Sequence, residues 1–173
     1  MKNLSVVVPF YNEGELVVEV LNELRSALPD AEIIAVDDGS SDGTADRIKS
    51  VPGVRLIPLQ KNCGQSAAIY EGLHAASRDI VAMMDGDGQN DPADILKLVQ
   101  AMSNADVVYG VRKNRQDTVA RLISSRIANA IRRFALGDKA SDTGCTLKVI
   151  RREHIKYLIP FNGLHRYLPA LFE

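Results

Sequence analysis

The sequence predicts an α/β protein with a mostly parallel central sheet. Short β-branched runs alternate with segments of helical period, the most polar loops follow the strands, and no internal repeat or low-complexity tract interrupts this pattern. The 173 residues are 46% hydrophobic and 25% charged, which suits a sizeable buried core. We therefore expect a single domain over residues 1–173.

Strands and helices alternate along the chain. Apolar residues recur at helical spacing over Leu16–Leu28, and Asn12 with Glu15 predicts an N-terminal cap for this helix. A second helix is expected to begin around residues 42–44, and a third to run from about residue 64 to 76. The expected strands are Leu4–Val8, Glu32–Val36, Val54–Leu59, Ile80–Met84, Asp106–Gly110 and Leu147–Ile150.

Asp85 and Asp87 follow directly on the fourth apolar strand. If the strand continues through them, both carboxylates point the same way and can share one ion. Such oxygens suit Mg²⁺ or Mn²⁺, which commonly bind together with substrate phosphates, and Gln89 offers a further oxygen. The alternative is a solvated Asp-Gly turn. Because ligands of open parallel sheets bind beyond the carboxyl ends of the strands, companion loops after two other strands favour the metal site.

The companion loops contain further candidates. Asp37 and Asp38 end the second strand, and one of these carboxylates can accept hydrogen bonds from a nucleobase or ribose. Asp42 is more simply explained as a cap of the next helix, and Asp91, which precedes a proline, as a cap of a later one. The Lys61–Ala68 segment combines small residues with one cation, which fits either a nucleotide or close helix packing on the sheet.

Charge is distributed unevenly. Residues 1–111 contain 8 Lys and Arg against 17 Asp and Glu, net −9, whereas residues 112–173 contain 13 against 5, net +8. The split suggests an acidic end that holds cations and a basic end that faces phosphates or an anionic surface. The amphipathic segment Val119–Phe134 fits either a membrane-surface helix or an ordinary helix on the sheet. Aromatic residues are only 5% and lack a recognition motif, so nucleic acid is not expected as a partner.

No apolar run approaches the roughly 20 residues that cross a bilayer, and no signal peptide precedes the first strand, which predicts a cytoplasmic location. Cys63 and Cys145 lie far apart without metal-ligand spacing, and we expect reduced, partly buried thiols. His154 and His165 also lack metal spacing and are expected to have surface or packing roles.

Five motifs, taken together, resemble family 2 glycosyltransferases of the GT-A fold, especially the dolichol-phosphate mannosyltransferase-like branch. They are Val7–Glu13 (VVPFYNE), Val36–Thr44 (VDDGSSDGT), Lys61–Gln65 (KNCGQ), Asp85–Gln89 (DGDGQ) and Asp142–Cys145 (DTGC), in the family's order. The resemblance implies a Rossmann-like, three-layer sandwich and one GT-A catalytic domain. It also implies that this domain is truncated at its C-terminus, because family members continue further, often into transmembrane helices.

The resemblance implies inverting transfer of a sugar from GDP-mannose or a UDP-sugar to a polyprenyl or dolichyl phosphate at the cytoplasmic membrane face. It implies Mg²⁺ or Mn²⁺ as cofactor and an anionic membrane surface as partner, and a homodimer is compatible with it. Nucleotide positions of the family match Pro9, Tyr11, Glu13 and Asp37, to which we add Asp38, Lys61, Gly64 and Asp85. The implied metal positions are Asp85, Asp87 and Gln89, and the implied acceptor-phosphate positions are Arg112, Arg121 and Ser125.

A mechanism follows from charge. As the bond from C1 to the diphosphate breaks, a cation held by Asp85 and Asp87 stabilises the leaving oxygens, so we expect both to be catalytic. A lipid phosphate is already anionic and needs arginines to hold it rather than a general base. A saccharide hydroxyl, as in cell-envelope polysaccharide synthesis, would need a base, and Asp142 is the candidate. Two other functions stay open: a nucleotide-sugar binding module without catalysis, and a receiver-like phosphoacceptor domain.

Overall fold

The computed structural model describes residues 2–111 and 145–171, in which strands and helices alternate. The strands are β1 Leu4–Phe10, β2 Glu32–Asp37, β3 Val54–Pro58, β4 Ile80–Met83, β5 Val107–Tyr109 and β6 Lys148–Arg151. The helices are α1 Leu16–Ala27, α2 Thr44–Ser50, α3 Gln65–Ala75, α4 Ala93–Ala101 and α5 Leu164–Leu171. Short 3₁₀ helices cover Met102–Asn104 and Arg152–Tyr157. None of the described helices combines the length and hydrophobicity needed to cross a bilayer.

The described strands form one sheet in the order β3-β2-β1-β4-β6-β5. β1 pairs in parallel with β2 and β4, and β2 pairs in parallel with β3. β6 runs antiparallel to both β4 and β5. The predicted mostly parallel α/β sheet is confirmed, and β6 is its antiparallel exception.

Helices cover both faces of the sheet and enclose two hydrophobic cores. Along β1, Val6 and Val8 face one core and Val7 faces the other, as the two-residue period of a strand requires. The first core packs against α1, α2 and α4, and the second against α3 and α5. Because its strands are buried on both sides, the sheet is the rigid middle layer of a three-layer sandwich.

The predicted N-terminal cap of α1 is wrong. Asn12 adopts a left-handed backbone with φ of +55°, and its Oδ1 accepts a hydrogen bond from the N–H of Ser41 at 3.0 Å. Glu15 occupies the N-cap position without a side-chain cap bond. The capping pattern gave a wrong prediction because the Asn12 side chain binds Ser41, 29 residues away, instead of the start of α1. Cys63 and Cys145 are free, as predicted, but one is exposed and the other buried.

Glu32 stabilises the amino-terminal edge of the sheet. Its Oε2 accepts hydrogen bonds from the Ser5 hydroxyl at 2.5 Å and from the N–H and hydroxyl of Ser77, both at 2.9 Å. Burial alone would raise the pKa of Glu32. These hydrogen bonds, together with the Arg55 charge 3.7 Å away, outweigh burial and lower the pKa below its usual value. The ionised carboxylate therefore joins β1, β2 and the α3–β4 loop.

Glu32→Gln is expected to lower the free energy of unfolding at neutral pH by about 1–2 kcal/mol, because charged acceptors form the stronger hydrogen bonds. The depressed folded-state pKa stabilises the fold above the unfolded-state pKa, about 4.3, and that contribution disappears as the pH falls through the lower folded value. Urea unfolding at several pH values should show the difference from wild type shrinking in acid. A pH-independent difference, or an equal effect of Glu23→Gln on the exposed side of α1, would contradict this account.

Candidate active site at the carboxyl ends of the strands

The loops after β1 and β2 are held together at the carboxyl edge of the sheet, as the sequence predicts. Four hydrogen bonds of 2.9–3.1 Å join them. They are Asn12 N–H to Ser40 Oγ, Ser41 N–H to Asn12 Oδ1, Glu13 N–H to Thr44 Oγ1 and Gly14 N–H to Asp42 Oδ2. Asp42 also accepts the N–H of Thr44, the first residue of α2, and the Thr44 hydroxyl holds the pKa of Asp42 below its usual value. Asp42 therefore has the structural role expected of it.

Asp38 joins the β2 loop to the loop before α3. Its buried carboxylate accepts the N–H of Cys63 at 2.7 Å and that of Gly64 at 2.9 Å. Beside it, Gly39 has φ of +69°, and a Cβ at this position would lie 2.4 Å from the backbone carbon of Lys61. The two loops therefore approach so closely that only glycine fits.

The converging loops enclose a cleft of about 420 Å³. Seven lining residues were expected from the sequence to bind nucleotide or metal: Pro9, Tyr11, Glu13, Asp38, Gly64, Asp85 and Asp87. Four further lining residues belong to the predicted motifs but are not among the predicted site residues: Phe10, Asn62, Gln65 and Gly86. The structure does not bring Asp37 or Lys61 to the lining. Asp37 is buried, its Oδ2 accepts the N–H of Ser40 at 3.3 Å, and no described group donates a hydrogen bond to its Oδ1.

Asp85 and Asp87 separate this cleft from a second cavity of about 550 Å³, which both residues also line. Gln89, the third predicted metal ligand, is exposed; it lines the second cavity but not the first. Strand alternation does not orient the two carboxylates, because β4 ends at Met83. Instead the loop is pressed against β1 at Gly86, where a Cβ would lie 2.4 Å from the Phe10 ring.

The two carboxylates have different surroundings. Asp85 Oδ1 accepts a hydrogen bond from the Gln65 side-chain amide at 2.6 Å, and its Oδ2 accepts one from the Thr146 hydroxyl at 2.6 Å. Asp87 Oδ1 accepts the backbone N–H of Gln89 at 3.0 Å. Asp91 accepts the N–H of Ala93 at the start of α4, so its predicted structural role is confirmed.

The chemistry of the cleft suits a bound cation. Its described lining contains four carboxylates and no lysine, arginine or histidine. Within residues 2–111 and 145–171 no three His, Cys, Asp or Glu side chains converge into a complete metal cage. An ion here would therefore take part of its coordination from a bound anion or from water, as Mg²⁺ commonly does.

Several predicted site residues lie outside the described residues, so the structure does not locate them. They are Arg112, Arg121, Ser125 and Asp142, together with the amphipathic segment Val119–Phe134. Of the two histidines considered in the sequence analysis, His154 lies partly buried beside Asp106, with its Nε2 3.5 Å from a carboxylate oxygen. This placement agrees with the expected packing role.

Solved structures share this architecture. Glucosyl-3-phosphoglycerate synthase from Mycobacterium tuberculosis, in complex with UDP, superimposes with a TM-score of 0.73 at 25% identity over 96% of this chain and 63% of its own. A mannosyltransferase from Pyrobaculum calidifontis, in complex with GDP-Man and Mn²⁺, gives 0.65 at 22% identity over 92% and 47%. These likenesses confirm the GT-A fold. An all-parallel receiver domain is excluded by β6 and by the family match below.

Curated relatives are similar over nearly the whole chain. Dodecaprenyl-phosphate galacturonate synthase of Rhizobium johnstonii is 37% identical over 96% of this chain and 53% of its own length. Undecaprenyl-phosphate 4-deoxy-4-formamido-L-arabinose transferase of Serratia proteamaculans is 39% identical over 99% and 56%. The chain thus spans about half the length of these relatives. The family model for glycosyl transferase family 2 matches residues 5–159, and the chain therefore belongs to that family.

Proposed function

We propose that this chain transfers a sugar, with inversion, from a nucleoside-diphosphate donor to a polyprenyl phosphate. The observation that carries the proposal is the position of Asp85 and Asp87 between two cavities at the carboxyl edge of the sheet. One cavity accommodates the nucleotide and the other the sugar and its acceptor, so the bond to be broken lies beside the two carboxylates.

The nucleotide occupies the 420 Å³ cleft. Tyr11 is 48% exposed at this cleft, and its ring offers a flat surface on which a base can stack. Glu13 and Asp38 supply acceptors for base or ribose donors, although both oxygens of Asp38 already accept backbone N–H groups. Structural relatives hold UDP or GDP-Man, and either base is compatible with this lining.

A divalent cation, Mn²⁺ or Mg²⁺, bound by Asp85 and Asp87 would stabilise negative charge on the departing diphosphate. Without a cation, the four carboxylates of the cleft repel a diphosphate. Gln89 is placed to contribute from the second cavity. Donor binding is therefore expected to depend on the metal, in agreement with the Mn²⁺ found in the P. calidifontis enzyme.

The acceptor assignment rests on the names of the relatives, which act on dodecaprenyl and undecaprenyl phosphate. A phosphate monoester is anionic at neutral pH and can attack C1 without a general base, provided that cations align it. Arg112, Arg121 and Ser125 remain our candidates for this task. With such an acceptor, the enzyme would work as a peripheral protein on the cytoplasmic face of an anionic membrane.

Calorimetric titration with GDP-mannose, and with UDP-sugars that include galacturonate and 4-deoxy-4-formamido-L-arabinose donors, tests the first half of the proposal. We expect at least one donor to bind with Mn²⁺ present and to bind at least about 10-fold more weakly with EDTA, because an uncompensated like-charge contact costs more than about 1.4 kcal/mol. Adding undecaprenyl phosphate in detergent should then yield a lipid-linked sugar. Binding without any transfer would identify a binding module, and no binding to any donor would refute the proposal.

A further inference from the structure

Asp85 is held from two sides by neutral side chains. Gln65, the first residue of α3, donates its amide to Oδ1, and Thr146, in the segment before β6, donates its hydroxyl to Oδ2, each at 2.6 Å. These partners lie 20 and 61 residues away in sequence, on opposite sides of the β4 loop. Each carboxylate oxygen thus accepts a hydrogen bond from a neutral donor, one from each side.

The Gln65 side is itself anchored to the sheet. Asp38, directly after β2, accepts the N–H groups of Cys63 and Gly64. This arrangement sets the start of α3 and therefore the point from which the Gln65 side chain reaches Asp85. Hydrogen bonds at Asp38 and at Gln65, joined by the backbone from Gly64 to Gln65, thus connect the end of β2 to the loop after β4.

The Thr146 side is anchored as well. Cys145 and Leu147, on either side of Thr146, are buried, and the Nζ of the buried Lys148 donates a hydrogen bond to the carbonyl oxygen of Cys145. Lys148 is paired with Met83, the last residue of β4. The hydroxyl of Thr146 is thus held by the segment that leads into β6, the strand next to β4, and Asp85 follows β4.

We propose that Gln65 and Thr146 are positioning residues that orient the Asp85 carboxylate toward the metal and diphosphate. The inference rests on the proposed function, in which Asp85 is a metal ligand. Each oxygen of a carboxylate has two lone pairs, so a hydrogen bond from Gln65 or Thr146 is compatible with an ion bound to the same carboxylate. Groups that orient metal ligands in this way typically contribute 10–100-fold to metal affinity.

Two substitutions remove one donor each while preserving size. Thr146→Val deletes the hydroxyl, and Gln65→Met deletes the amide. We expect each to weaken Mn²⁺ binding about 10-fold, measured by electron paramagnetic resonance with saturating UDP or GDP present. The apparent KM for the metal should rise in parallel, with a smaller effect on kcat at saturating metal. Thr146→Ser keeps the hydroxyl and should restore affinity to within about 2-fold of wild type.

Mn²⁺ binding by the wild-type protein and by the variants tests the proposed function and the positioning role separately. Wild-type protein that fails to bind Mn²⁺ with either nucleotide would refute the proposed function. If the wild-type protein binds Mn²⁺ and both Thr146→Val and Gln65→Met bind it with the same affinity, only the positioning role is refuted. Gln100→Met, on the exposed end of α4, is the control for Gln65→Met and should change nothing. Because Gln65 is exposed, its substitution tests the inference even if Thr146→Val folds poorly.

The double variant provides a further check. Gln65 and Thr146 both donate to the Asp85 carboxylate. Loss of either donor lets this carboxylate rotate, which weakens the orienting effect of the donor that remains. We therefore expect the combined loss in Mn²⁺ affinity to be smaller than the product of the two single losses. Strictly multiplicative losses would show that the residues act independently and would overturn the shared-ligand account.

Discussion

Asp87→Asn is expected to lower kcat/KM for sugar transfer by about 10²–10³-fold while leaving the fold intact, because removing one group that stabilises a developing negative charge typically costs that much. An asparagine oxygen can still accept the backbone N–H of Gln89, which is the contact the structure shows for Asp87 Oδ1. The substitution therefore removes the negative charge and preserves the loop. Transfer is measured as radiolabelled sugar extracted with the lipid.

The control for this prediction lies at the other end of the same strand. Asp79 directly precedes β4, and its Oδ2 accepts a hydrogen bond from Asn3. Asp79→Asn removes a similar charge far from the cleft and should leave transfer within about 2-fold of wild type. Equal losses in both variants would indicate a general effect of charge on stability. Undiminished transfer by Asp87→Asn would exclude Asp87 from the metal site.

Gly39→Ala is expected to lower the free energy of unfolding by about 3 kcal/mol, combining left-handed backbone strain with overpacking. The added Cβ would lie 2.4–2.7 Å from three backbone atoms of Lys61 and Asn62, none of which can rotate aside. The loop that lines the cleft at Asn62 and Gly64 would have to move, so we also expect weaker donor binding. Urea unfolding and the donor titration measure the two effects.

Gly43→Ala is the matched control for Gly39→Ala. Gly43 also has a positive φ, +87°, but a Cβ there would meet nothing within 4 Å. It should therefore show only the backbone strain, about 1 kcal/mol. The difference between the two variants isolates the close approach of the two loops. Equal destabilisation would mean that the loops are not packed as described.

The fold and the location of the site could be predicted from local patterns. Apolar runs indicate buried strands, and the rule that ligands bind beyond the carboxyl ends of parallel strands brings the three polar loops together. The reversal of β6 has no comparable signal, because the residue pattern of a short strand such as Lys148–Arg151 does not indicate the direction of the strand. Strand alternation predicts the orientation of Asp85 and Asp87, but β4 ends at Met83, and both residues lie in a loop that packs against Phe10 at Gly86.

The residues that the sequence did not reveal are those whose partners are distant in the chain. Gln65 and Thr146 meet at Asp85 across 20 and 61 positions, and no local pattern encodes such a meeting. Asp38 lines the cleft, where the sequence predicts a nucleotide contact, but its hydrogen bonds to the backbone 25 and 26 residues further along the chain have no sequence signal. For Asp38 as for Gln65 and Thr146, the tertiary fold determines which groups form the hydrogen bonds.

The most direct test of the central claim is a crystal structure with Mn²⁺ and the nucleoside diphosphate that binds more tightly. Our account predicts an anomalous peak for manganese in contact with Asp85 and Asp87, with the diphosphate completing its coordination and the base beside Tyr11. A nucleotide bound elsewhere, or bound in the cleft with manganese absent from both carboxylates, would contradict it.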